Sequence, residues 1–320
     1  MDSLDAPSFA GWTPVRVRGT PAEPLIDWAV IDGPLGDAFF EQSVYRAMQH
    51  PFNGVFARTT PLAVLDAFGV SPTVAPGGFV FHMSRSGSTL IAQMLARLSG
   101  TVVLSEPQPI DGVLRFLRAG VWDDETALRR FRALLGVLRR PHHGERRAFV
   151  KFHAWHVLEL PFIARAFPET PWIFAFREPR AVLLSQEKDP GAEIIPWTLD
   201  PRRAGIEPAA IASMSQGEYC ARMLAAFCEA ALAHAAGGRS RFLDYAQLPD
   251  AVFSTVLPFF DVSPSPDETH RLHEAADFDV KHEGEAFRPE RVSRVSAEVE
   301  RLATLWLDPL YAALRERAAS

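Results

Sequence analysis

Residues 77–98 read GGFVFHMSRSGSTLIAQMLARL, and this stretch decides the fold. Its apolar run Phe79–Phe81 is too short for a helix and rich in strand-forming residues, so it predicts a buried strand. Further along, apolar residues from Leu90 to Leu98 recur at helical spacing until Gly100 ends the pattern. The small polar residues 84–89 therefore form a tight loop between a strand and a helix.

The loop of residues 84–89 has the composition of a phosphate-binding loop. Small residues let successive backbone N–H groups converge at the start of the helix, where unpaired donors and the helix dipole favour an anion. Gly87 permits close approach of the backbone, Ser88 and Thr89 add hydroxyl donors, and Arg85 supplies a planar cation for phosphate or sulfate oxygens. An ordinary turn of small residues is the alternative interpretation.

Strand and helix patterns alternate after this unit. Further strands are predicted at residues 101–104, 148–152, 172–176 and 242–245. Helices are predicted at residues 124–138 and 157–167, from Pro179 onward, and from a Ser215–Glu218 capping box to Gly237 and Gly238. The alternation indicates a three-layer α/β fold of P-loop NTPase type, with a central parallel sheet of about five strands flanked by helices. Ligands of such folds bind at the carboxyl ends of the strands.

The chain divides into two parts by composition. Residues 1–75 are rich in proline and aromatic residues and carry no nucleotide motif, so we expect an N-terminal cover segment packed on a main domain at 76–320. A short helix is predicted at 37–48. Residues 186–213 show little periodicity and contain several prolines, which fits either a lid near the site or a surface insertion.

The overall composition indicates a soluble globular protein. The 320 residues are 48% hydrophobic, which is enough for a sizeable core. No apolar run approaches the roughly 20 residues of a membrane helix, and the first residues lack an export pattern. Cys220 and Cys228 lie two turns apart on one predicted helix, beyond disulfide reach, so free thiols and a cytoplasmic location are expected.

The formal charge of −6 argues against a nucleic-acid-binding protein and against an enzyme that works along a polyanion. We therefore expect a small-molecule partner, with no nucleic acid and no membrane. The sequence leaves the oligomeric state open.

Polar residues follow three other predicted strands. Glu106 comes after the second strand, Lys151 and His153 end the third, and Arg177 leaves the fourth, with Ser185 eight residues later on the following helix. The carboxyl ends of parallel strands meet at one edge of a sheet, so we expect these residues near the loop. A lysine that ends a buried strand is rarely a core residue unless it has a partner.

Together these motifs resemble those of the PAPS-dependent sulfotransferases, over roughly residues 77–314 in order and spacing. In that family a basic residue precedes a Ser-Gly-[Ser/Thr]-[Ser/Thr] loop that binds the 5′-phosphosulfate, and an arginine and a serine bind the 3′-phosphate. The resemblance implies these cofactor-binding residues: Arg85, Ser86, Gly87, Ser88, Thr89, Arg177 and Ser185.

The resemblance also implies three catalytic residues. Lys151 and His153 resemble the Lys-x-His of the cytosolic sulfotransferases, in which the lysine contacts the bridging or sulfuryl oxygens and the histidine takes the acceptor's proton. Glu106 resembles the catalytic base of the tyrosylprotein and other Golgi-type enzymes. The sequence therefore offers two bases, of which we favour Glu106.

Two features fit less well. His142, His143 and His156 invite a metal site, but no cysteine pair or His-x3-His helix supports one and the implied reaction needs no metal. Relatives bring a basic C-terminal loop to the 3′-phosphate, and its usual Arg-Lys-Gly pattern is absent here. The candidates for that role are Lys281, His282 and Arg288.

The resemblance implies an enzyme that moves the sulfuryl group of PAPS to a hydroxyl, or an amine, of a small-molecule acceptor. An ATP-dependent small-molecule kinase on the same fold is the main alternative, although a P-loop kinase has lysine where Ser88 follows Gly87. A non-catalytic nucleotide-binding protein is the third. The acceptor itself is not encoded in any motif.

Overall fold

The computed structural model describes residues 9–33, 35–68, 74–141, 144–235, 238–277 and 295–319. Near the start of the chain, three strands form an antiparallel sheet with the second strand in the middle. They are β1 (Trp12–Gly19), β2 (Pro24–Val30) and β3 (Arg58–Pro61). The sequence analysis predicted no strand here, because Pro14 interrupts the pattern of β1. Proline is tolerated at this position because β1 is an edge strand and its register shifts between Pro14 and Arg16.

Five parallel strands form the central sheet. They are β4 (Pro76–His82), β5 (Thr101–Ser105), β6 (Arg147–Lys151), β7 (Trp172–Phe176) and β8 (Ser240–Asp244). Their order across the sheet is β5-β6-β4-β7-β8, which puts the strand before the 84–89 loop in the middle. The predicted parallel sheet of an α/β fold is confirmed.

Helices follow nearly every strand. The α-helices are α1 (Phe40–Met48), α2 (Pro51–Val55), α3 (Ser88–Leu95), α4 (Gln108–Arg118), α5 (Asp124–Leu138), α6 (Leu160–Ala166), α7 (Pro179–Lys188), α8 (Gln216–Ala233), α9 (Leu257–Phe259), α10 (Pro266–Asp277), α11 (Ala297–Leu302) and α12 (Asp308–Ala319). Shorter 3-10 turns lie at Leu62–Ala67, Ala154–Glu159, Ala192–Ile194, Pro201–Ala204, Pro208–Ser213 and Tyr245–Gln247, and π-helical turns at Val252–Val256 and Ala303–Leu307. Within the described ranges, no helix is long and apolar enough to cross a lipid bilayer.

Two hydrophobic cores lie on opposite faces of the central sheet, because side chains alternate along each strand. In β4, Phe79 and Phe81 join the core that contains α4, α5, α6 and α8, whereas Val80 joins the core beneath α3 and α10. In β7, Phe174 and Ile173 divide in the same way. The sheet is therefore covered on both faces, as the predicted three-layer architecture requires.

The N-terminal sheet packs on α4. Val17 of β1 donates its N–H to Oε1 of Gln108 at 2.9 Å and accepts from its Nε2 at 3.2 Å. Gly112 of α4 faces the same strand, where a Cβ would collide with Val17. The absence of a side chain thus lets β1 lie directly against the helix. That residues 1–75 are a separate segment stays a prediction.

Several predicted helix details differ in the structure. The helix predicted at 157–167 is divided between the 3-10 turn Ala154–Glu159 and α6. Ser215 accepts from the backbone N–H of Glu218 at 3.1 Å, but the Glu218 carboxylate pairs with Arg222 at 2.9 Å and does not complete a capping box. The sequence analysis did not predict α4 and α10, because polar residues interrupt the apolar pattern of both segments.

Cys220 and Cys228 are buried free thiols on α8, as predicted. Burial raises the pKa of both thiols above their usual value. A buried, protonated thiol is a poor nucleophile, so both cysteines are packing residues.

Candidate active site

The loop between β4 and α3 has an unusual backbone conformation. Ser84, Arg85 and Gly87 have φ values of 76°, 51° and 80°, in the left-handed region. Residues other than glycine seldom adopt this region, and each such residue costs on the order of 1 kcal/mol or more. The surrounding structure must therefore hold the loop in place, which is typical of ligand-binding sites.

Gly87 is required by both conformation and packing. A Cβ at this position would lie 2.9 Å from Cδ2 of Tyr245 and closer still to Leu248. Gly87 is also the N-cap of α3, which has no side-chain cap and no acidic residue in its first turn. The first-turn N–H groups, including those of Ser88 and Thr89, thus present the positive end of the helix dipole without a side-chain acceptor, as an anion site requires.

Polar side chains fasten this loop to neighbouring elements. Ser86 donates its hydroxyl to the carbonyl of Ala175 in β7 at 2.8 Å. Gln186 of α7, which is buried, donates from Nε2 to Ser84 Oγ and to Glu193 Oε1, both at 3.0 Å. The Ser86 hydroxyl is thus engaged with the sheet, and its backbone N–H is the group left for the predicted phosphate contact. The sequence analysis missed Gln186, because an isolated polar residue on a helix carries no local signal of a contact to a distant loop.

Arg85 points toward the end of α7. Its Nη2 pairs with Oδ2 of Asp189 at 2.9 Å and also donates to the carbonyl of Asp189. The Asp189 side chain is 74% exposed, whereas that of Arg85 is 15% exposed. An ion pair with so exposed a carboxylate is weak, so the Arg85 guanidinium can exchange the Asp189 carboxylate for another anion at small cost.

Arg177 lies beside the loop at the end of β7. Its Nη1 donates to the backbone carbonyl of Arg85 at 3.3 Å, and its guanidinium stacks over the ring of Tyr245 at 4.3 Å. The side chain is buried, with 9% of the residue exposed. The structure therefore brings Arg177 and the loop together at one edge of the sheet.

Ser185 lies on α7, eight residues beyond Arg177. Among the described residues, no hydrogen bond to the Ser185 hydroxyl is formed. The structure therefore places Ser185 on the helix that follows Arg177, but the two side chains are not hydrogen-bonded to each other. Lys281, His282 and Arg288, the C-terminal candidates for the 3′-phosphate, lie outside the described residues.

Glu106 and Lys151 form a buried ion pair at the ends of two neighbouring strands. The register of β5 and β6 pairs Ser105 with Lys151, which brings the next residue, Glu106, beside the lysine. The Nζ of Lys151 contacts Oε1 of Glu106, and the Glu106 N–H donates to the Lys151 carbonyl at 2.7 Å. Lys151 is only 1% exposed. The partner that a buried strand-end lysine requires is therefore Glu106.

Two histidines also contact the Glu106 carboxylate. Nδ1 of His153 lies 3.2 Å from Oε2, and Nε2 of His82 lies 3.4 Å from Oε1. Burial alone would raise the pKa of Glu106, but the charge of Lys151 and the hydrogen bonds of the two imidazoles hold that pKa well below its usual 4.5. Glu106 is therefore ionised at neutral pH, and both of its oxygens are engaged.

His153 is held from its other side by Trp155. The two rings stack with centroids 4.3 Å apart, and Trp155 donates its Nε1–H to Oδ1 of Asp111 at 2.8 Å. His156 Nε2 lies 3.1 Å from the same oxygen, and burial lowers the pKa of His156 to about 4, so its ring is neutral. Among the described residues, the Nε2 of His153 has no hydrogen-bond partner. The sequence analysis missed Trp155 and Asp111, since their hydrogen bond joins α4 to the turn after β6.

The N-terminal segment reaches this site. The ring of Phe39 lies 4.9 Å from Lys151 Nζ, and the Glu41 carboxylate accepts from the N–H of Gln108, at the start of α4, at 3.1 Å. Displacement of water by the surrounding protein raises the pKa of Glu41, and a hydrogen bond from its own backbone and the nearby His153 oppose this rise. The sequence analysis expected only packing from residues 1–75, yet these two side chains border the proposed catalytic residues.

Within the described ranges, no group of three or more His, Cys, Asp and Glu side chains is arranged to hold a metal ion. His142 and His143, which suggested a metal site in the sequence, lie outside those ranges.

Comparisons with known proteins give structural neighbours only. No protein-family model matches the sequence, and no curated protein matches it. The chain is similar to a sulfotransferase from Mycobacterium avium, with 14% identity, a TM-score of 0.48, and coverage of 88% of this chain and 82% of that one. It is also similar to a sulfotransferase from Alicyclobacillus acidocaldarius, with 15% identity, a TM-score of 0.44, and coverage of 77% of this chain and 96% of that one. A mouse sulfotransferase in complex with PAP is similar too, with 12% identity, a TM-score of 0.44, and coverage of 81% of this chain and 92% of that one. Similarity at this level leaves the activity to be argued from the side chains.

Proposed function

We propose that this protein is a sulfotransferase that moves the sulfuryl group of PAPS to a hydroxyl, or an amine, of a small-molecule acceptor. One observation carries the proposal. Arg177 touches the backbone of the 84–89 loop, while Lys151, Glu106 and His153 lie together at the ends of the two adjacent strands β5 and β6. One edge of the sheet thus combines an anion cradle, two cations and a group that accepts a proton.

The loop and Arg177 would bind the two ends of the nucleotide. The backbone N–H groups of Ser86 to Thr89 and the guanidinium of Arg85 would hold the 5′-phosphosulfate. Arg177 would hold the 3′-phosphate, together with the hydroxyl of Ser185. PAPS, as co-substrate, supplies the activated sulfuryl group, and the protein supplies orientation and charge.

Lys151 would stabilise the leaving phosphate. Among the residues that the structure describes, its ammonium is paired only with Glu106 and lies against the ring of Phe39. A buried ammonium gains strongly from a second anionic acceptor. As charge develops on the leaving oxygen, Lys151 would therefore stabilise the transition state more than the bound substrate, which is the requirement for catalysis.

The sequence favoured Glu106 as the general base, but the contacts of the site favour His153. The Glu106 carboxylate is held by three donors and has a lowered pKa, which makes it a weak base. Its contact with His153 Nδ1 instead fixes the imidazole so that Nε2 can take the acceptor's proton. Glu106 would orient His153 and stabilise the imidazolium that forms, as the carboxylate does in a catalytic triad.

The two alternative functions, a kinase and a non-catalytic nucleotide-binding protein, fit the site less well. A kinase needs a cation after the second loop glycine, where this chain has Ser88. A non-catalytic nucleotide-binding protein gives no reason for a buried Lys–Glu–His cluster beside the loop, because such a cluster is costly to bury. A cytoplasmic location and a small-molecule acceptor remain part of the proposal.

The direct test is group transfer. Purified protein would be incubated with PAPS labelled in the sulfuryl group and a panel of phenols, alcohols, sugars and amines, in parallel with ATP labelled in its γ-phosphate and Mg²⁺. We expect label transfer from PAPS to at least one acceptor class and none from ATP. Phosphoryl transfer from ATP, or nucleotide binding without transfer to any acceptor, would contradict the proposal.

The assignment of Arg177 to the 3′-phosphate has its own test. Arg177→Ala should weaken binding of adenosine 3′,5′-bisphosphate by about 10- to 100-fold, since charge-assisted hydrogen bonds are lost. Binding of ADP, which lacks the 3′-phosphate, should change much less. The matched control is Arg180→Ala, because Arg180 is an arginine of the same segment that pairs with Glu300 and Asp308. Equal losses for both nucleotides would mean that Arg177 acts only by supporting the loop.

A further inference from the structure

His82 connects the two halves of the proposed site. It is the last residue of β4 and is 6% exposed. Its Nδ1 lies 3.1 Å from the backbone N of Ser84 in the loop. Its Nε2 lies 3.0 Å from the carbonyl oxygen of Phe152 and 3.4 Å from Oε1 of Glu106. One ring thus touches the phosphate-binding loop, the end of β6 and the catalytic cluster.

These contacts define one tautomer. The Ser84 N–H can only donate, so Nδ1 of His82 must be the acceptor and carry no proton. The proton is then on Nε2, where it is donated to the Phe152 carbonyl and directed at the Glu106 carboxylate. Burial lowers the pKa of His82, further helped by the charge of Lys151 and opposed by Glu106 and Glu193, so the ring stays neutral.

The contact with Ser84 bears on the loop conformation. Ser84 begins the part of the loop that has positive φ, which is unfavourable for a serine. A hydrogen bond to its N–H from a rigid ring at the end of the central strand favours that conformation over relaxed alternatives. The contact with Glu106 similarly helps to keep its carboxylate between Lys151 and His153.

We propose that His82 is a positioning residue that holds the phosphate-binding loop and the Glu106 carboxylate in a single arrangement. The inference rests on the proposed function for its catalytic meaning, but its geometry can be tested separately. An imidazole suits this role because it carries an acceptor and a donor at opposite sides of one rigid ring.

Two substitutions separate the two contacts. In His82→Asn, the amide oxygen can take the place of Nδ1, which keeps the bond to Ser84 and loses the donor to Glu106. In His82→Gln, the amide nitrogen can take the place of Nε2, which keeps the donor and loses the bond to Ser84. Binding of adenosine 3′,5′-bisphosphate reports on the loop. The onset of Glu106 titration, followed by the ¹³C signal of its carboxylate, reports on the catalytic cluster.

We expect opposite results from the two variants. His82→Gln should weaken bisphosphate binding by about 3- to 10-fold, as expected for one lost hydrogen bond, and leave the Glu106 titration as in the wild type. In His82→Asn the nucleotide affinity should be unchanged, and the titration of the Glu106 carboxylate should begin about half a pH unit higher. His156→Gln is the control, because it also removes a fully buried imidazole but contacts Asp111 and not the loop.

The wild-type protein supplies a measurement that needs no variant. Long-range ¹H–¹⁵N correlation should show the His82 proton on Nε2, and a proton on Nδ1 would overturn the proposal even if neither variant folds. Equal changes in both variants, or none, would also overturn it. Failure of the wild type to bind the bisphosphate would instead refute the proposed function and leave the tautomer result standing.

Discussion

Replacing His153 by alanine should lower kcat for sulfuryl transfer by about 10²- to 10⁴-fold, the usual contribution of a general base. The reason is geometric: Nδ1 is held by Glu106 at 3.2 Å and the ring stacks on Trp155, which leaves Nε2 for the acceptor. Affinity for adenosine 3′,5′-bisphosphate should stay within about threefold, since the imidazole takes no part in nucleotide binding. Steady-state kinetics and calorimetric titration of the same preparation measure the two effects.

Two variants make the His153 result interpretable. His234→Ala, at an exposed histidine that ends α8, should leave both quantities unchanged. Glu106→Gln should cost less than His153→Ala, because it removes orientation and charge but not the proton acceptor. If Glu106→Gln abolishes turnover while His153→Ala retains most of it, then Glu106 is the base and our assignment is wrong.

Replacing Lys151 by methionine should have the largest effect on stability. Removing one partner of a buried ion pair typically costs about 3 to 5 kcal/mol, and Lys151 is 1% exposed. The loss should depend on pH. Because the folded protein lowers the pKa of Glu106, the carboxylate contributes stability above its usual value of 4.5 and loses it as pH falls below that value.

Urea unfolding at pH 7 and near pH 4 tests this expectation. The wild type should lose more stability than Lys151→Met on acidification, so the difference between the two proteins should shrink. Lys188→Met, at an exposed lysine of α7, is the control and should change little at either pH. A difference that stays constant between the two pH values would show that Glu106 is not held ionised by Lys151.

Much of the fold could be predicted because its signals are local. The apolar runs of β4 to β8 are short and lie between turn residues, and the five strands found overlap the predicted ones. The N-terminal sheet escaped prediction because Pro14 and a bulge obscure the alternation of β1. The sequence analysis also missed α4, whose segment contains Pro109 and Gly112, and α10, which is mostly polar.

The residues of the candidate site differ in the same way: some carry a local signal in the sequence and others do not. Residues at strand ends, such as Glu106, Lys151 and Arg177, could be nominated because a parallel sheet brings its carboxyl ends together. Gln186 and Phe39 could not, because each reaches the site through a contact between segments far apart in the chain. The hydrogen bond of Trp155 to Asp111 likewise joins distant segments. The choice between two bases likewise required distances and a pKa shift, which no motif contains.

The most direct test of the account is the thermal stability of the wild-type protein with adenosine 3′,5′-bisphosphate, compared with ADP and Mg²⁺ at the same concentration. A ligand present at 100 times its dissociation constant stabilises a fold by about 2.7 kcal/mol, so a specific site gives a clear rise in Tm. We predict a clear rise with the bisphosphate and a much smaller one with ADP and Mg²⁺. An equal or larger rise with ADP and Mg²⁺ would contradict the account.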